Sequence, residues 1–473
     1  MVRFVGALLA LVVSAGVNAA TCTWTGAGAD AKWSSSANWN NCGGAHALPI
    51  NGDTLAFPEV ANKKTNTNDL PGLQLAGLLF NGLNYDIDGN AVTLTSGITV
   101  STPIAGFTDK GPRFRPDITL NNAQTILCQL GTFVFLDGTL DIGANTLTID
   151  SDTSACSTGL RGAIVGSGSI EKYGNGSLFL SNDTSSYTGV TSISGGTLSV
   201  NADHCLGAPG LGASTLVQPD GTLLVYGDIA LPETIYINGG ELENFLGNNT
   251  INNALLFSSS GTVSVDYAGD SLTLNGAYDS TVTYLMKYGP GTLILNGIIE
   301  PVLLPFEGVL ELDGTATGTL DVASGVTLTG VGTMGPTTQL EPGSKLKPGT
   351  PGKPGTISGN FLSWVDPSQI YLRVGKRADS IKLTGTFAAN GAGVHQFVFV
   401  DGDTPPKVGE VYTVAEYASA TGFSASALND TYAYIGTGAG DTLLGTFSVG
   451  ATKMTFTVNT VVSDLLFRND FER

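Results

Sequence analysis

Charge, histidine and helix-forming sequence are all scarce in this chain. Charged residues make up 13% of its 473 positions, about half of the usual quarter. Disorder needs low hydrophobicity with high charge density, and a hydrophobic fraction of 42% excludes it. Only 21 lysines and arginines stand against 40 aspartates and glutamates, a net charge of −19. That shortage of positive charge argues against nucleic acid and anionic membrane surfaces as partners. The three histidines, His46, His204 and His395, lie far apart. The five cysteines have no zinc-site spacing, and no calcium-loop pattern occurs, so no metal or cofactor is expected. Gly174-x-Gly176 leads into a strand and not a helix, so it is no phosphate cradle. Cys205 follows His204 directly, but strand neighbours point to opposite faces, which leaves the thiol without a base.

Long apolar runs are missing too. A membrane helix needs about twenty apolar residues, and no segment after the first twenty approaches that length, so no membrane insertion is expected. Residues 1–20 read as a secretory signal peptide, with Arg3, an apolar run from Phe4 to Val13 and small residues at Val17-Asn18-Ala19. Cleavage is expected after Ala19 or Ala20. Loss of Arg3 takes the net charge from −19 to −20. Thr21 stands before Cys22 where a lipid-anchor site wants glycine or alanine. Export permits disulfides. Cys22 and Cys42 flank a tryptophan-rich segment and form the first candidate pair. Cys128 and Cys156 form the second, and Cys205 is left over.

What the chain has in excess is glycine, 64 residues, about twice the average share. Much of it sits in a recurring phrase. DGTLDI (137–142), GGTLSV (195–200), DGTLLV (220–225), SGTVSV (260–265) and TGTLDV (317–322) are its short forms. KYGNGSLFL (172–180) and KYGPGTLIL (287–295) are its long forms. Glycine permits the turn, and alternating apolar residues then point one way from a short strand. Helical periodicity is nearly absent. Successive phrase glycines lie 20 to 40 residues apart, wider than the roughly 8–12 of hairpin proteins. An antiparallel sandwich or barrel is therefore disfavoured. A stack of coils is expected, with gaps near 20–30 as one coil and gaps near 40 as two.

The segment Gly166–Val200, GSGSIEKYGNGSLFLSNDTSSYTGVTSISGGTLSV, resembles the autotransporter-associated β-strand repeat, also called the passenger-associated transport repeat. Residues 206–297 follow its weaker pattern, and 330–415 resemble the end of such passengers, through GVGTMG and KPGTPG. The resemblance implies an all-β, right-handed parallel β-helix on an exported protein. It also implies a place outside the cell or on the outer surface of a Gram-negative bacterium. Autotransporters end in a membrane barrel, and the residues after Asn360 lack its long series of strands. The expected organisation is a signal peptide (1–20), an N-terminal cap (21–65), the β-helix (66–360), a C-terminal β region completing or capping it (361–460) and a tail (461–473) whose FRNDFE resembles a sorting signal.

Such a rod is expected to act in adhesion or structure without chemistry, with glycans or a host or neighbouring cell surface as partners. The alternative is a carbohydrate-active β-helix enzyme, a polysaccharide lyase or glycoside hydrolase. It would need paired carboxylates or a basic group on one face. Glu241 with Glu243, Asp266 with Asp270, and Arg373 with Lys376 and Arg377 are the candidates. Each is also what a solvated strand or turn provides. Tyr173 and Tyr288 recur beside Lys172 and Lys287, as glycan platforms or as repeat packing.

Overall fold

The computed structural model describes residues 19–43, 47–101, 111–131, 133–210, 213–276, 284–437 and 441–462. The apolar stretch of the signal peptide, His46 and the FRNDFE tail lie outside the described residues. Within them the chain is a parallel β-solenoid with three faces, visited in fixed order in each coil. Face 1 begins with Thr21–Trp24, which pairs in parallel with Thr54–Pro58, and climbs through Gln124–Gln129, Leu147–Ser151 and Ile170–Gly174 to Leu255–Phe257. It resumes at Ile298–Ile299. Face 2 is an unbroken parallel ladder of 17 strands from Thr65–Asn68 to Ser419–Thr421. Face 3 includes Ile118–Leu120, Leu140–Gly143 and Ile164–Gly166, then a ten-stranded ladder from Ala230–Leu231 to Ala433–Ile435.

Period-two alternation explains the core. In Ser177–Leu180, Gly196–Val200 and Gly221–Tyr226 the apolar residues at every second position are buried. Register then stacks like on like. Leu178, Leu198, Leu223, Leu242 and Val263 form one inward column of face 2. A fully buried leucine contributes roughly 2 kcal/mol of hydrophobic free energy, and no single coil could enclose its own.

The recurring phrase does not mark one fixed place in the coil. GNGSLFL, GGTLSV, DGTLLV, SGTVSV and TGTLDV put their strands on face 2, whereas DGTLDI and GPGTLIL put theirs on face 3. The 40-residue gap from Gly221 to Gly261 is two coils, with Glu241–Leu246 between. The 38-residue gap from Gly138 to Gly176 is a change of face as well as of coil.

The two long phrases show why. Lys172 stands inward on face 1 between Ile149 and Ile193, and Lys287 stands inward on face 2 beside Val263. Both lysines are almost fully buried. Lys172 Nζ donates to the carbonyls of Tyr173, Gly174 and Gly195 at 2.7, 3.0 and 3.1 Å. Lys287 Nζ donates to those of Tyr288 and Gly289. Gly174 and Gly289 have φ of +71° and +77°, left-handed values that favour glycine. KYGxG is thus a corner with an internal lysine clip, used at the face 1 to face 2 corner in one copy and at the face 2 to face 3 corner in the other. Burial holds both ammonium groups down to about 8.

Both ends are closed, as an open coil exposes strand edges. Trp39–Asn40 runs antiparallel to Thr21–Trp24. Trp24 and Trp33 meet Trp39 edge to face at 5.0 and 5.7 Å, and Cys22 is disulfide-bonded to Cys42. At the other end, Thr442–Val449 and Lys453–Val462 form an antiparallel hairpin that pairs Val411–Glu416. The helix Ala425–Thr431 and a cluster of Phe399, Tyr432, Phe447 and Phe456 fill in beneath it.

The second cysteine pair is arranged differently. Cys128 and Cys156 are buried thiols and not a disulfide. Cys128 stands in a face 1 strand opposite Ser151 of the next coil. Cys156 lies beyond that coil's corner, where its sulfur is held in its own turn by Thr153 and Asp152, both at 3.6 Å.

Candidate functional site

The outer side of face 2 gathers more chemistry than any of the sequence candidates alone. Outward residues of its neighbouring strands form columns, as inward ones do. Phe135, Gly159, Phe179, Ser199, Leu224, Glu243, Ser264 and Tyr288 follow one another along one column. At its N-terminal part the small residues between large ones leave a groove of about 340 Å³, lined by Phe133, Phe135, Arg161, Phe179, Asn201 and Tyr226. The Arg161 guanidinium lies over the Phe135 ring, 3.7 Å from its centre, a cation–π contact.

Further along, the rings are exposed. Tyr288 stacks on Phe306 with centres 5.1 Å apart and planes at 23°. Phe245 meets Tyr267 edge to face at 5.9 Å. All four rings are open to solvent, although aromatic surface is ordinarily buried. The sequence singles out Tyr288 but not Phe245, Tyr267 or Phe306. Their shared signal is position, at or just past the end of a face 2 strand in successive coils. Tyr173, the partner of Tyr288 by sequence, sits on face 1, so the two tyrosines do not form one platform.

Among the carboxylates, the structure joins one member of each candidate pair. Glu241 and Glu243 both point outward. Glu243 comes into hydrogen-bond contact with Asp266 of the next coil. Burial first, then Asp266, then Glu241 push the Glu243 carboxyl well above its ordinary range. Glycoside hydrolysis needs its two carboxyl groups at least about 5 Å apart, with the sugar bond between them, so a directly bonded pair has the wrong geometry. Asp270 braces a turn instead, accepting from the Gly247 amide at 2.8 Å.

The other candidates separate. Arg373 pairs with Asp379 at 2.8 Å on face 3, whereas Arg377 pairs with Asp403 at 3.0 Å. Cys205 is buried, and burial pushes its thiol up to about 12. His204 faces solvent and meets Asp183 at 3.2 Å. His395 Nε2 meets the Trp364 and Asn390 carbonyls. Among the described residues no three histidines, cysteines or acids gather as a metal site, and no helix is long and apolar enough to cross a membrane.

Two comparisons with known proteins bear on this arrangement. The chain is 27% identical over 299 residues to the adhesin BmaC autotransporter of Brucella suis biovar 1 (strain 1330). The match covers 59% of this chain and 8% of that much longer protein. Residues 170–200 match the passenger-associated-transport-repeat family. They include the first lysine corner, its Ser177–Leu180 strand and the following coil through Val200. On these matches, and on the coils those residues build, the chain carries a passenger-associated-transport-repeat segment at residues 170–200 and is similar to part of an autotransporter adhesin.

Proposed function

We propose that the chain is the displayed rod of an exported, passenger-type adhesin of a Gram-negative bacterium, working by binding and not by catalysis. The exposed ring ladder on face 2 is the observation that carries this reading. Rings held at the coil repeat suit the apolar faces of successive sugars. The Glu243–Asp266 pair beside them offers carboxyl oxygens to sugar hydroxyls. The similarity to an autotransporter adhesin supports the same reading. In it, residues 21–65 cap the rod, residues 66–360 display the surface, residues 361–460 complete or cap the helix, and residues 1–20 direct export.

The test uses the chain from Thr21 onward, labelled and applied to bacterial cells, host cells and an array of neutral glycans. The wild-type protein is expected to adhere. The variant Tyr267→Ala/Tyr288→Ala, which touches only exposed rings, is expected to lose most of that binding. Wild-type protein that adheres to none of these surfaces would refute the proposal.

A further inference from the structure

Positive charge is rare in this chain but concentrated in one stretch of sequence. Seven of the 21 basic residues, Lys345, Lys347, Lys353, Arg373, Lys376, Arg377 and Lys382, lie between positions 345 and 382, with only Asp366 and Asp379 against them. That stretch is +5 in a protein of −19. It contains the proline-glycine segment KPGTPGKPGT, which leaves the end of the strand Lys345–Pro348 and folds back over the outer sheet surface.

The overhang is firmly held. Thr350 and Lys353 exchange backbone hydrogen bonds across the Pro351-Gly352 turn at 3.1 and 2.9 Å. Arg373 donates to the carbonyls of Pro348 and Thr350, both at 2.8 Å, and to Asp379 at 2.8 Å. Asp379, nearly fully buried, also accepts from the Gly355 amide at 2.8 Å. Gly349 has φ +87°, and a Cβ there would lie 1.9 Å from the Arg373 guanidinium. Only glycine lets this clamp close.

Between overhang and sheet is a cavity of about 360 Å³. Val309, Pro348, Pro351, Val400 and Tyr371 give it apolar walls, and Thr327 and Thr350 add hydroxyls. Lys347 Nζ enters it 4.7 Å from the centre of the Tyr371 ring. The Lys347 side chain remains exposed at the cavity mouth, where partial desolvation and Lys345 two residues away hold its ammonium below the ordinary lysine range, and an anion would offset that repulsion. Glu311, beside Thr329 on this face, is itself raised by burial and by Asp313, which weakens its competition for the lysine.

We propose that this cavity binds a uronic-acid residue of an acidic polysaccharide. The pyranose lies against the apolar walls, its carboxylate pairs with Lys347 and Lys345, and its hydroxyls meet the threonines. A bare phosphate would use the lysines but leave the apolar walls uncovered. The site lies apart from the face 2 ladder, and its adhesive use rests on the proposed function above.

The probe is a galacturonic-acid oligosaccharide, titrated calorimetrically into the chain from Thr21 onward. Its methyl ester and inorganic phosphate serve as comparisons. The acid form is expected to bind, with an affinity that falls as salt is raised. The methyl ester and the variant Lys345→Glu/Lys347→Glu should each weaken binding about tenfold or more. Tyr371→Ala should weaken it too, and Lys376→Glu, the same charge reversal outside the cavity, should leave it within about twofold. Circular dichroism melts confirm that each variant is folded. Equal binding of acid and ester, undiminished binding by the double lysine variant, or displacement by phosphate at equal concentration would each overturn the proposal. If wild-type protein ignores uronates yet adheres to cells, this inference falls while the adhesin reading stands.

Discussion

Glu233 gives the sharpest test of how the rod is held together. It lies at the corner between Ala230–Leu231 on face 3 and Thr234–Ile237 on face 1. It is 1% exposed, and neither carboxyl oxygen meets a hydrogen-bond partner from another residue. Tyr187 and Cys205, both fully buried, lie within electrostatic reach. Burial pushes the carboxyl from 4.5 up to about 7. A raised acid binds its proton more tightly when folded, so between those two values the folded protein holds more protons than the unfolded chain. The stability tied to this group is therefore complete below pH 4.5 and is lost as pH rises through 7. At 1.36 kcal/mol per unit, the loss between pH 5 and 7 is about 2 kcal/mol. Glu233→Gln removes the titration and keeps the shape. Urea unfolding of both proteins at pH 5, 6, 7 and 8, with hydrogen exchange of the Thr234–Ile237 peptide, reads the difference. Wild type is expected to lose about 2 kcal/mol relative to the variant from pH 5 to 7. A gap between the two proteins that stays constant across that range would refute the reasoning.

Two other perturbations probe the corners and the cap. Lys172→Met leaves the Tyr173, Gly174 and Gly195 carbonyls without their shared donor and is expected to cost about 2 kcal/mol near neutral pH. Because the folded lysine is held down to about 8, wild type holds fewer protons than its unfolded chain from there to the ordinary lysine value of 10.5. Its stability should rise across that window, and the variant should lose this rise. Unchanged melting and an unchanged pH profile would count against the clip. Reduction of Cys22–Cys42, which closes a loop with a sequence separation of 20, is expected to cost about 3 kcal/mol. The loss should show as faster amide exchange in Thr21–Trp24, and equal exchange before and after reduction would contradict a stabilising role for the bond.

The architecture was legible because it depends on a local rule applied many times. Leu-x-Leu after a glycine turn buries alternate residues wherever it occurs, and stacking follows from the need to cover them. What the phrase does not specify is which of three faces it occupies. Every corner faces the same problem, a chain turning while its carbonyls approach the core, so one solution serves at two different corners. The spacing of 115 residues between the lysine corners therefore mixes whole coils with a shift of one face.

The lysines show where the residue types mislead. A charged side chain suggests solvent, yet in Ile-Glu-Lys-Tyr the lysine lies two places after isoleucine and so points inward with it. Alternation carried the answer, and the expectation that charge stays outside concealed it.

The surface sites were less legible for a different reason. Glu243 and Asp266 belong to different candidate pairs, and only the coil-to-coil register brings them together. The same holds for Lys347 over Tyr371, which meet because the strand Gln369–Val374 lies beside Lys345–Pro348. Residues about one coil apart in the chain become neighbours at strand spacing, about 4.8 Å. A solenoid thus builds its outer surface from rows that run across the sequence, and a function carried by such rows has no contiguous motif. The rows become readable once the coil length is known. On this chain that length varies with each corner's turn, so the register had to come from the structure.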